Sequence, residues 1–525
     1  MMGLVKQSSG SLNSPMRTLT ISKKSFHFRD FAPFFRNPIQ IRISKASKQR
    51  IRASHKTLQN ALSTGETIYG VNTGFGKLSQ ISIDPNQLEK LQINLVRSHA
   101  AGVGKPISDG LVRSIIFLKL LTYAKGHSGI RFSLAEQLIY FLNHDILPVI
   151  PEKGSVGASG DLAPLGHMAL AIIGEGEVSV NKRVIKTVTA LKKAGLKSYK
   201  LGPKEGLSLI NGTQFSTSIA IQAMLQAECL AQSADLIGAI SVEGSLSSRN
   251  VFKSSIHAIK NHPGQIQSAK NVWKILKGSE IVKSHRHCKK VQDPYSFRCI
   301  PHVHGACRDT MTFSGNIIND EINSVSDNPL VFANGEVISS GHFHGESVAQ
   351  AMDMLAIAMS EFGAISERRT HYLMKGADGT LPPFMAKIPG LETGYMIAHV
   401  SASALASENK TLSHPASVDS LPTSGGQEDL VSMAPWAGQK TLQIQNNLAT
   451  ILAVELIVAL TAIQEIHTKL KPAKSTQAVL DLLKDSINIH KGDRPLNKEI
   501  EAVKTAIING ELLSAIQPFH TLESF

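Results

Sequence analysis

The sequence predicts a mainly α-helical fold, in which a bundle of long helices carries a mixed, loop-rich N-terminal lobe. Three stretches, 214–246, 346–374 and 439–469, are rich in Ala, Leu, Ile, Met and Glu and repeat apolar residues at helical spacing. Residues 110–123 show the same spacing over a shorter length. The segment 148–166 holds seven Gly or Pro residues, which indicates a loop. We therefore expect helices to form the core and loops to carry the chemistry.

Short β elements are predicted beside the helices. Residues 178–185 predict a hairpin with its turn at Asn181, and residues 331–338 predict another at the strong Asn334-Gly335 turn signal. The chain divides into three predicted parts: a basic N-terminal arm over 1–37, an N-terminal lobe with the Gly/Pro-rich loop over 38–210, and the long-helix bundle with a C-terminal helical region over 211–525.

Size and composition favour a soluble protein of a reducing compartment. The 525 residues, 42% hydrophobic and 18% charged, can bury a large core and exceed what one compact domain usually holds. The apolar stretch 448–463 is broken by Glu455, so no uninterrupted run reaches the roughly 18 to 20 residues of a membrane span. Four cysteines in so long a chain cannot build a disulfide framework. We expect a cytoplasmic protein with no membrane contact.

The formal net charge of +14 raises the question of nucleic-acid binding. The Lys and Arg residues are scattered, however, and few aromatic residues interleave with them as a base-stacking surface requires. We expect a solvated basic surface, or a field that attracts an anionic substrate, and no nucleic-acid partner. Residues 1–29 lack acidic residues, as transit peptides do, but show no amphipathic period. A disordered arm, or an early start codon with Met16 as the true start, is the preferred interpretation.

The most distinctive pattern is Gly-Ser-Val-Gly-Ala-Ser-Gly-Asp at residues 154–161. It does not fit the dinucleotide fingerprint, the phosphate loop or the nucleophile elbow. Its Ala158-Ser159-Gly160 tripeptide permits backbone cyclisation, because neither Ala158 nor Gly160 brings bulk to the approach of the Gly160 nitrogen to the Ala158 carbonyl. Loss of two waters, one from the Ser159 side chain, leaves a five-membered ring with an exocyclic methylidene, a strong electrophile. For an isolated tripeptide an ordinary turn is the alternative.

The wider context of this tripeptide resembles the aromatic amino acid ammonia-lyases, enzymes with a methylidene-imidazolone cofactor. The matching blocks, in chain order, are residues 69–76, 154–167, 209–214, 291–298, 326–330 and 424–429. The resemblance covers residues 55–520. It implies a cofactor made from Ala158, Ser159 and Gly160 with no external cofactor, and a homotetramer whose active sites are each completed by more than one chain.

The resemblance also implies roles for individual residues. Tyr69 matches the catalytic tyrosine, the base at the substrate β-carbon, and its phenol needs nearby positive charge or hydrogen-bond donors to ionise at neutral pH. Ser159 and Glu428 complete the catalytic set. Arg298 offers a rigid fork of donors for the substrate carboxylate. The residues expected to bind substrate beside Arg298 and Glu428 are His99, Asn211, Gln292, Tyr295 and Phe343.

Two residue pairs, Ser98-His99 and Gln427-Glu428, resemble the histidine-specific members of the family, where they face the imidazole. A buried Glu facing a phenyl ring would lack a partner and cost free energy. We therefore expect non-oxidative elimination of ammonia from L-histidine to give trans-urocanate, the first step of histidine degradation. The alternatives are a tyrosine or phenylalanine ammonia-lyase, an aminomutase of the same chemistry, or an inactive paralogue that acts as a scaffold or basic binding protein.

Other positions bear on the details of the site. Three depart from the family pattern and could reshape the pocket: His302 where Gln is usual, His342 where Asn is usual, and Leu430 where His often follows. His287 and Cys288 lie beside His285, but the set supplies at most three ligands and neighbouring lysines repel a cation, so no metal site is predicted. Cys288 is expected to be an oxidisable thiol that catalysis does not need.

Overall fold

A computed structural model describes residues 18–22, 24–285, 290–489 and 491–524, and in this part the chain is mostly helical with short strands. The α-helices are α1 (Lys45–Ser63), α2 (Leu88–His99), α3 (Asp109–Lys125), α4 (Phe132–Asn143), α5 (Leu162–Ile172), α6 (Thr187–Lys193), α7 (Glu205–Ile210), α8 (Gln214–Gly244), α9 (Ser254–His257), α10 (Pro263–Ile275), α11 (Glu280–Ser284), α12 (Tyr295–Arg298), α13 (Ile300–Ile322), α14 (Glu346–Met374), α15 (Met396–Leu412), α16 (Ala434–Thr461), α17 (Lys474–Leu483), α18 (Asn497–Ile508) and α19 (Glu511–Ile516). The strands are β1 (Thr18–Ile21), β2 (Gln40–Ile43), β3 (Val103–Pro106), β4 (Leu147–Pro148), β5 (Pro151–Lys153), β6 (Glu177–Val180), β7 (Arg183–Lys186), β8 (Leu330–Val331) and β9 (Val337–Ile338).

The strands of the described residues form small separate sheets. β1 pairs with β2 in parallel, whereas β3–β5, β4–β6–β7 and β8–β9 are antiparallel. Both predicted hairpins are confirmed. The β6–β7 turn places Asn181 and Lys182 at φ 50° and 62°, the left-handed region that a two-residue hairpin turn needs. The β8–β9 hairpin encloses Gly335 at φ 101°.

The three predicted long helices are confirmed as α8, α14 and α16. The bounds of α14 agree with the prediction, while α16 begins and ends earlier than predicted and continues into a π-helical turn, Ala462–Ile466. A further long helix, α13, was not singled out by the sequence. α14 packs along α16 and α13, and α16 packs along α8, so these helices form one bundle.

Buried charge ties the bundle together. Glu455, the residue that interrupts the apolar run of α16, is fully buried and pairs with Arg369 of α14 at 2.5 Å. Its carboxylate also accepts a hydrogen bond from Ser241 of α8 at 2.6 Å. A buried carboxylate without such partners would cost several kcal/mol. One polar cluster therefore fixes three apolar helices in register.

Two segments of the bundle, Glu346–Met374 and Ala434–Ile466, are long and apolar enough to cross a membrane by length and composition alone. Their most apolar windows are 72% and 78% buried inside the protein. Burial on this scale is typical of core helices, which must be apolar on most faces.

The sequence indicates a loop over the whole Gly/Pro-rich segment, but the structure shows regular elements in parts of it. Its first residues belong to β4, which pairs with β6, and to β5, which pairs with β3, and α5 begins at Leu162 despite Pro164 and Gly166. Pro164 lies in the first turn of the helix, where backbone N–H groups have no partner within the helix, so the proline removes no helical hydrogen bond. The irregular part is confined to residues 154–161.

Residues 18–22 and 24–37, assigned above to a basic arm, pack on the core instead. The 3-10 helix Phe28–Phe35 buries Phe28, Phe31 and Phe34, and the Phe34 ring lies 4.6 Å from that of Phe117 in α3. Apolar rings spaced three residues apart share one face of a 3-10 helix. The prediction of an arm rested on the positive charge of the segment and overlooked this spacing. Residues 1–17 lie outside the described residues. The remaining domain boundaries stay predictions, since one hydrophobic cluster spans both larger parts.

Candidate active site

The Ala158-Ser159-Gly160 tripeptide lies in a tight loop whose shape depends on glycine. Gly157 and Gly160 adopt φ values of 67° and 72°, which only glycine adopts readily. A Cβ on Gly160 would lie 2.2 Å from the Gly212 carbonyl oxygen, so no side chain fits there. The Ser432 hydroxyl donates to the Gly157 carbonyl at 3.0 Å and holds the other side of the loop.

The backbone of Gly212 flanks the tripeptide like a neighbouring strand. Its N–H donates to the Ser159 carbonyl at 3.3 Å, and its carbonyl accepts from the Asp161 N–H at 2.8 Å. The Asp161 carboxylate in turn accepts from the Ser216 N–H at 2.8 Å and the Ser216 hydroxyl at 2.9 Å, in the first turn of α8. Burial raises the pKa of Asp161 to about 6, against these hydrogen bonds, which lower it.

The tripeptide faces a cavity of about 1050 Å³. Segments far apart in sequence line it: the loop 69–83, the end of α2, the residues before α8, the residues before α14 and the loop 424–430. The cavity brings together most of the residues predicted to act on substrate, namely Tyr69, His99, Ala158, Ser159, Asn211, Phe343 and Glu428. Gly160 lies beside it, buried behind Ser159.

Glu428 is held directly against the tripeptide. The Ser159 hydroxyl donates to Glu428 Oε1 at 2.9 Å. Thr423 and Ser424 donate to Glu428 Oε2 at 2.6 and 2.7 Å, so the carboxylate has a fixed orientation. The loop that presents it turns through Gly425 and Gly426, both at positive φ. A carboxylate and the serine hydroxyl therefore meet at the cavity wall.

His99 lies near Glu428 at the end of α2. Its Nδ1 donates to the Leu95 carbonyl at 2.8 Å, which leaves Nε2 as an acceptor in the neutral ring. Burial lowers the pKa of His99, opposed by the Leu95 hydrogen bond and by the Glu428 charge. A neutral imidazole beside a carboxylate offers acceptors for ring N–H groups, which suits a substrate with an imidazole side chain.

Tyr69 stands in the loop before the 3-10 helix Gly76–Leu78. Its hydroxyl accepts a hydrogen bond from the Gly76 N–H at 3.1 Å, and its ring meets Phe75 edge-on with centroids 6.4 Å apart. The hydroxyl is thus oriented by a main-chain donor, and no side chain among the described residues bonds it in competition with a substrate.

Asn211 presents an unused acceptor to the cavity. Its side-chain Oδ1 is buried and makes no hydrogen bond within the described part of the chain. Its main-chain carbonyl accepts from Lys119 Nζ at 2.6 Å, and the same ammonium donates to the Ser208 carbonyl at 3.1 Å. Lys119 has no exposed surface, and burial lowers its pKa to about 7. Lys119 was not among the residues predicted from the sequence, although a single lysine within the apolar stretch 110–123 indicates a buried amino group that needs polar partners.

Three predicted substrate residues do not line this cavity. Gln292 and Tyr295 are exposed, Tyr295 by 70%, and the Arg298 guanidinium stacks 4.4 Å from the Tyr295 ring centre. The Arg298 Nε is buried without a hydrogen-bond partner among the described residues. Within a single chain these residues form a surface of their own, away from Ser159.

The three departures from the family pattern occupy different settings. Leu430 lines the cavity with 63% of its surface exposed, and its carbonyl accepts from His344 at 3.3 Å. His342 is exposed and bonds Ser340 at 3.0 Å. His302 lies on α13, 5.7 Å from the His257 ring, and does not line the cavity. Only Leu430 changes the cavity wall.

No metal site was predicted at His285, His287 and Cys288, and of these His287 and Cys288 lie outside the described residues. Elsewhere in the described ranges, no group of three or more His, Cys, Asp or Glu side chains could hold a metal ion.

The chain belongs to the aromatic amino acid lyase family, whose model matches residues 27–485. It is therefore a carbon–nitrogen lyase. It is 46% identical over 483 residues to a histidine ammonia-lyase of Pseudoalteromonas atlantica, covering 92% of this chain and 95% of that protein. Its identity to the histidine ammonia-lyase of Salmonella typhimurium is 44% over 506 residues, covering 96% of this chain and all of that protein.

Solved structures agree in fold along the chain. Histidine ammonia-lyase from Trypanosoma cruzi superposes with a TM-score of 0.87 at 36% identity and covers 96% of each chain. Tyrosine aminomutase from Streptomyces globisporus reaches a TM-score of 0.90 at 32% identity, covering 96% of this chain and all of that one. The fold is thus common to lyases and aminomutases, so the substrate has to be argued from the cavity.

The buried Asp161 carboxyl gives a pH prediction. Because its pKa of about 6 exceeds the ordinary value of 3.8, the native state binds this proton more tightly than the unfolded chain. The carboxyl therefore favours folding at low pH, and this contribution is lost as the pH rises through about 6. Asp161→Asn keeps an acceptor for Ser216. Its thermal midpoint minus that of the unmodified protein should increase as the pH is raised from about 4 to about 7.

The exposed Asp84 supplies the matched control, as Asp84→Asn should leave that difference flat. A relative midpoint of Asp161→Asn that does not change with pH would show that Asp161 keeps an ordinary acidity.

Proposed function

We infer that this protein eliminates ammonia from L-histidine to give trans-urocanate, the first step of histidine degradation. The observation that carries the inference is the 2.9 Å contact between the Ser159 hydroxyl and Glu428 in a cavity that also holds His99. The relatives named above as histidine ammonia-lyases, at 44–46% identity, support the same substrate. A phenylalanine ring has no donor for Glu428 and His99, and a tyrosine ring has one O–H, whereas an imidazole offers ring N–H groups to this pair.

We propose that the working electrophile is a methylidene-imidazolone formed from Ala158, Ser159 and Gly160, without an external cofactor. The tripeptide fits such a ring. Ala158 is 6% exposed and Gly160 has no room for a side chain, so both ring-closing residues must be small. Among the described residues, the Gly160 N–H and the Ala158 carbonyl make no hydrogen bond that closure would have to break. Of the three, only Ser159 carries a polar side-chain group, and its hydroxyl lies at the cavity wall.

The methylidene-imidazolone would supply a carbon electrophile that converts the substrate amino group into a better leaving group. The other tasks belong to side chains. We propose that Tyr69, oriented by the Gly76 N–H, removes the proton from the substrate β-carbon. Glu428 and His99 hold the imidazole, Asn211 Oδ1 accepts from the substrate, and Phe343 packs beside the ring.

Arg298, Tyr295 and Gln292 are proposed to act from a second chain. They are absent from the wall of the cavity that one chain forms, yet Arg298 keeps an unpartnered buried Nε suited to a carboxylate. Large apolar side chains near the cavity are also exposed, among them Leu430 at 63% and Trp436 at 47%. Burial of this surface and completion of the site by neighbouring subunits supports a homotetramer with shared active sites.

We also propose a cytoplasmic location with no nucleic-acid or membrane partner. The described cysteines, Cys229, Cys299 and Cys307, are all free thiols, as a reducing compartment maintains them.

Ser159→Ala should abolish nearly all turnover and leave the fold intact, because only Ser159 supplies the methylidene carbon. The intact mass of the unmodified protein should lie about 36 Da below its sequence mass, from the loss of two waters, and this deficit should vanish in the variant. Full activity with histidine in Ser159→Ala would rule out the cofactor proposal.

Glu428→Gln should keep the mass deficit and the assembly but lower histidine turnover by about a hundredfold, within the range of one general acid–base group. Rates on histidine, tyrosine and phenylalanine, followed by the absorbance of urocanate, coumarate and cinnamate, measure the change. Unchanged histidine turnover would make Glu428 a structural residue and favour one of the other amino acids as substrate.

Co-expression of Tyr69→Phe with Arg298→Ala should restore part of the activity that each variant lacks alone, because mixed assemblies contain some sites free of both changes. Sedimentation should give one species near four times the 56.6 kDa chain mass. Two Tyr69→Phe chains co-expressed serve as the control and should recover nothing. A fully active monomer would refute the shared site.

A further inference from the structure

Lys119 carries a buried amino group that the proposed reaction leaves unused. It lies on α3, has no exposed surface, and is surrounded on the helix by buried apolar residues such as Ile116 and Leu120. Burying an ammonium is costly unless its protons are bonded. Its direct partners in the described residues are two main-chain carbonyls, those of Ser208 at 3.1 Å and Asn211 at 2.6 Å.

Those two carbonyls lie where the chain leaves α7 and enters the site. The carbonyls of a helix end have no partner within the helix, so a donor there fixes the path of the residues that follow. The next residue is Gly212, which bonds Ser159 through its N–H and Asp161 through its carbonyl. Lys119 is thus one residue removed from the backbone that brackets Gly160.

A buried ion pair, Lys204 with Asp327, also contacts the end of α7. Lys204 Nζ donates to the Ser208 hydroxyl at 2.8 Å and lies 3.3 Å from Asp327. Asp327 is bonded by Lys204, while the Lys119 amino group bonds the Ser208 and Asn211 carbonyls. The lysine is held at its place by geometry, with its protons directed at main-chain oxygens.

We propose that Lys119 is a positioning residue for ring formation, which holds Asn211 and Gly212 so that they fix Ser159 and Asp161 while the ring closes. The inference rests on the proposed cofactor. In the closure a bond forms between the Gly160 nitrogen and the Ala158 carbonyl carbon. The Ala158 oxygen leaves as water with the amide protons of Gly160 and Ser159. The Ser159 hydroxyl leaves as a second water with the hydrogen of its own Cα.

Closure of this kind depends on placement, since a displacement of about 1 Å between reacting groups costs roughly a hundredfold in rate. Without Lys119, the Ser208 and Asn211 carbonyls would be buried without donors, and the 211–212 backbone would shift toward other partners. The same shift would move Asn211 Oδ1 in the cavity. Loss of Lys119 should therefore affect the ring first and the binding of substrate second.

The test compares Lys119→Met, which removes the donors at similar volume, with Lys119→Gln, whose amide offers two N–H groups without charge. The mass of each purified full-length chain is measured by intact-protein mass spectrometry, and the mass of the tryptic peptide containing residues 154–166 is measured separately. Lys119→Met should form the ring about a hundredfold more slowly than the unmodified protein, as a time course of the 36 Da deficit. Lys119→Gln should retain much of the deficit.

Lys440→Met is the matched control, since Lys440 is also buried and its partners, Asp353 at 2.6 Å and the His414 carbonyl, belong to neither the tripeptide nor the 211–212 backbone. It should lower the thermal midpoint but leave the deficit complete. Prompt and complete ring formation in Lys119→Met would overturn the inference, and so would a folded Lys119→Gln protein with no ring. No deficit in the unmodified protein would overturn the proposed cofactor and this inference together, a result distinct from either variant failing alone.

Discussion

The close approach of three backbone segments at Gly160, Gly212 and Ser326 is the constraint on which the site depends. A Cβ on Gly160 would lie 2.2 Å from the Gly212 oxygen, and a Cβ on Gly212 would lie 2.2 Å from the Ser326 oxygen. Both positions also have positive φ, so glycine is required for space and for conformation. The three segments precede α5, precede α8 and follow α13, so the site forms only when the N-terminal lobe is seated on the bundle.

Buried charge links that backbone contact to the rest of the core. Asp161 anchors the tripeptide to the first turn of α8, and Lys119 anchors its neighbour Asn211 to α3. Farther along α8, Ser241 joins the Glu455–Arg369 pair between α16 and α14. Each of these groups would destabilise an apolar interior if left unpaired, so each pairing selects one arrangement of helices over others of similar hydrophobic burial.

Two features of the single chain bear on the proposed tetramer. Arg298 and Tyr295 stack on each other outside the cavity, and the loop that presents Glu428 is exposed along most of its length. The proposed tetramer accounts for both features, because another subunit would cover the loop and bring a carboxylate-binding arginine to the cavity.

Local patterns determined much of this protein from sequence alone. Helical spacing predicted α8, α14 and α16, and turn chemistry predicted both hairpins. The family resemblance implied Tyr69, His99, Asn211, Phe343 and Glu428 as site residues, and all five line the cavity. These signals act within a few residues or within one motif.

Tertiary structure alone decided the contacts of Lys119, the packing of the 3-10 helix Phe28–Phe35, and the separation of Arg298 from the cavity of its own chain. A lysine in an apolar helix becomes a backbone anchor only when a distant helix end is brought to its ammonium. Such contacts join residues far apart along the chain, and their energies depend on burial, which spacing and composition do not encode.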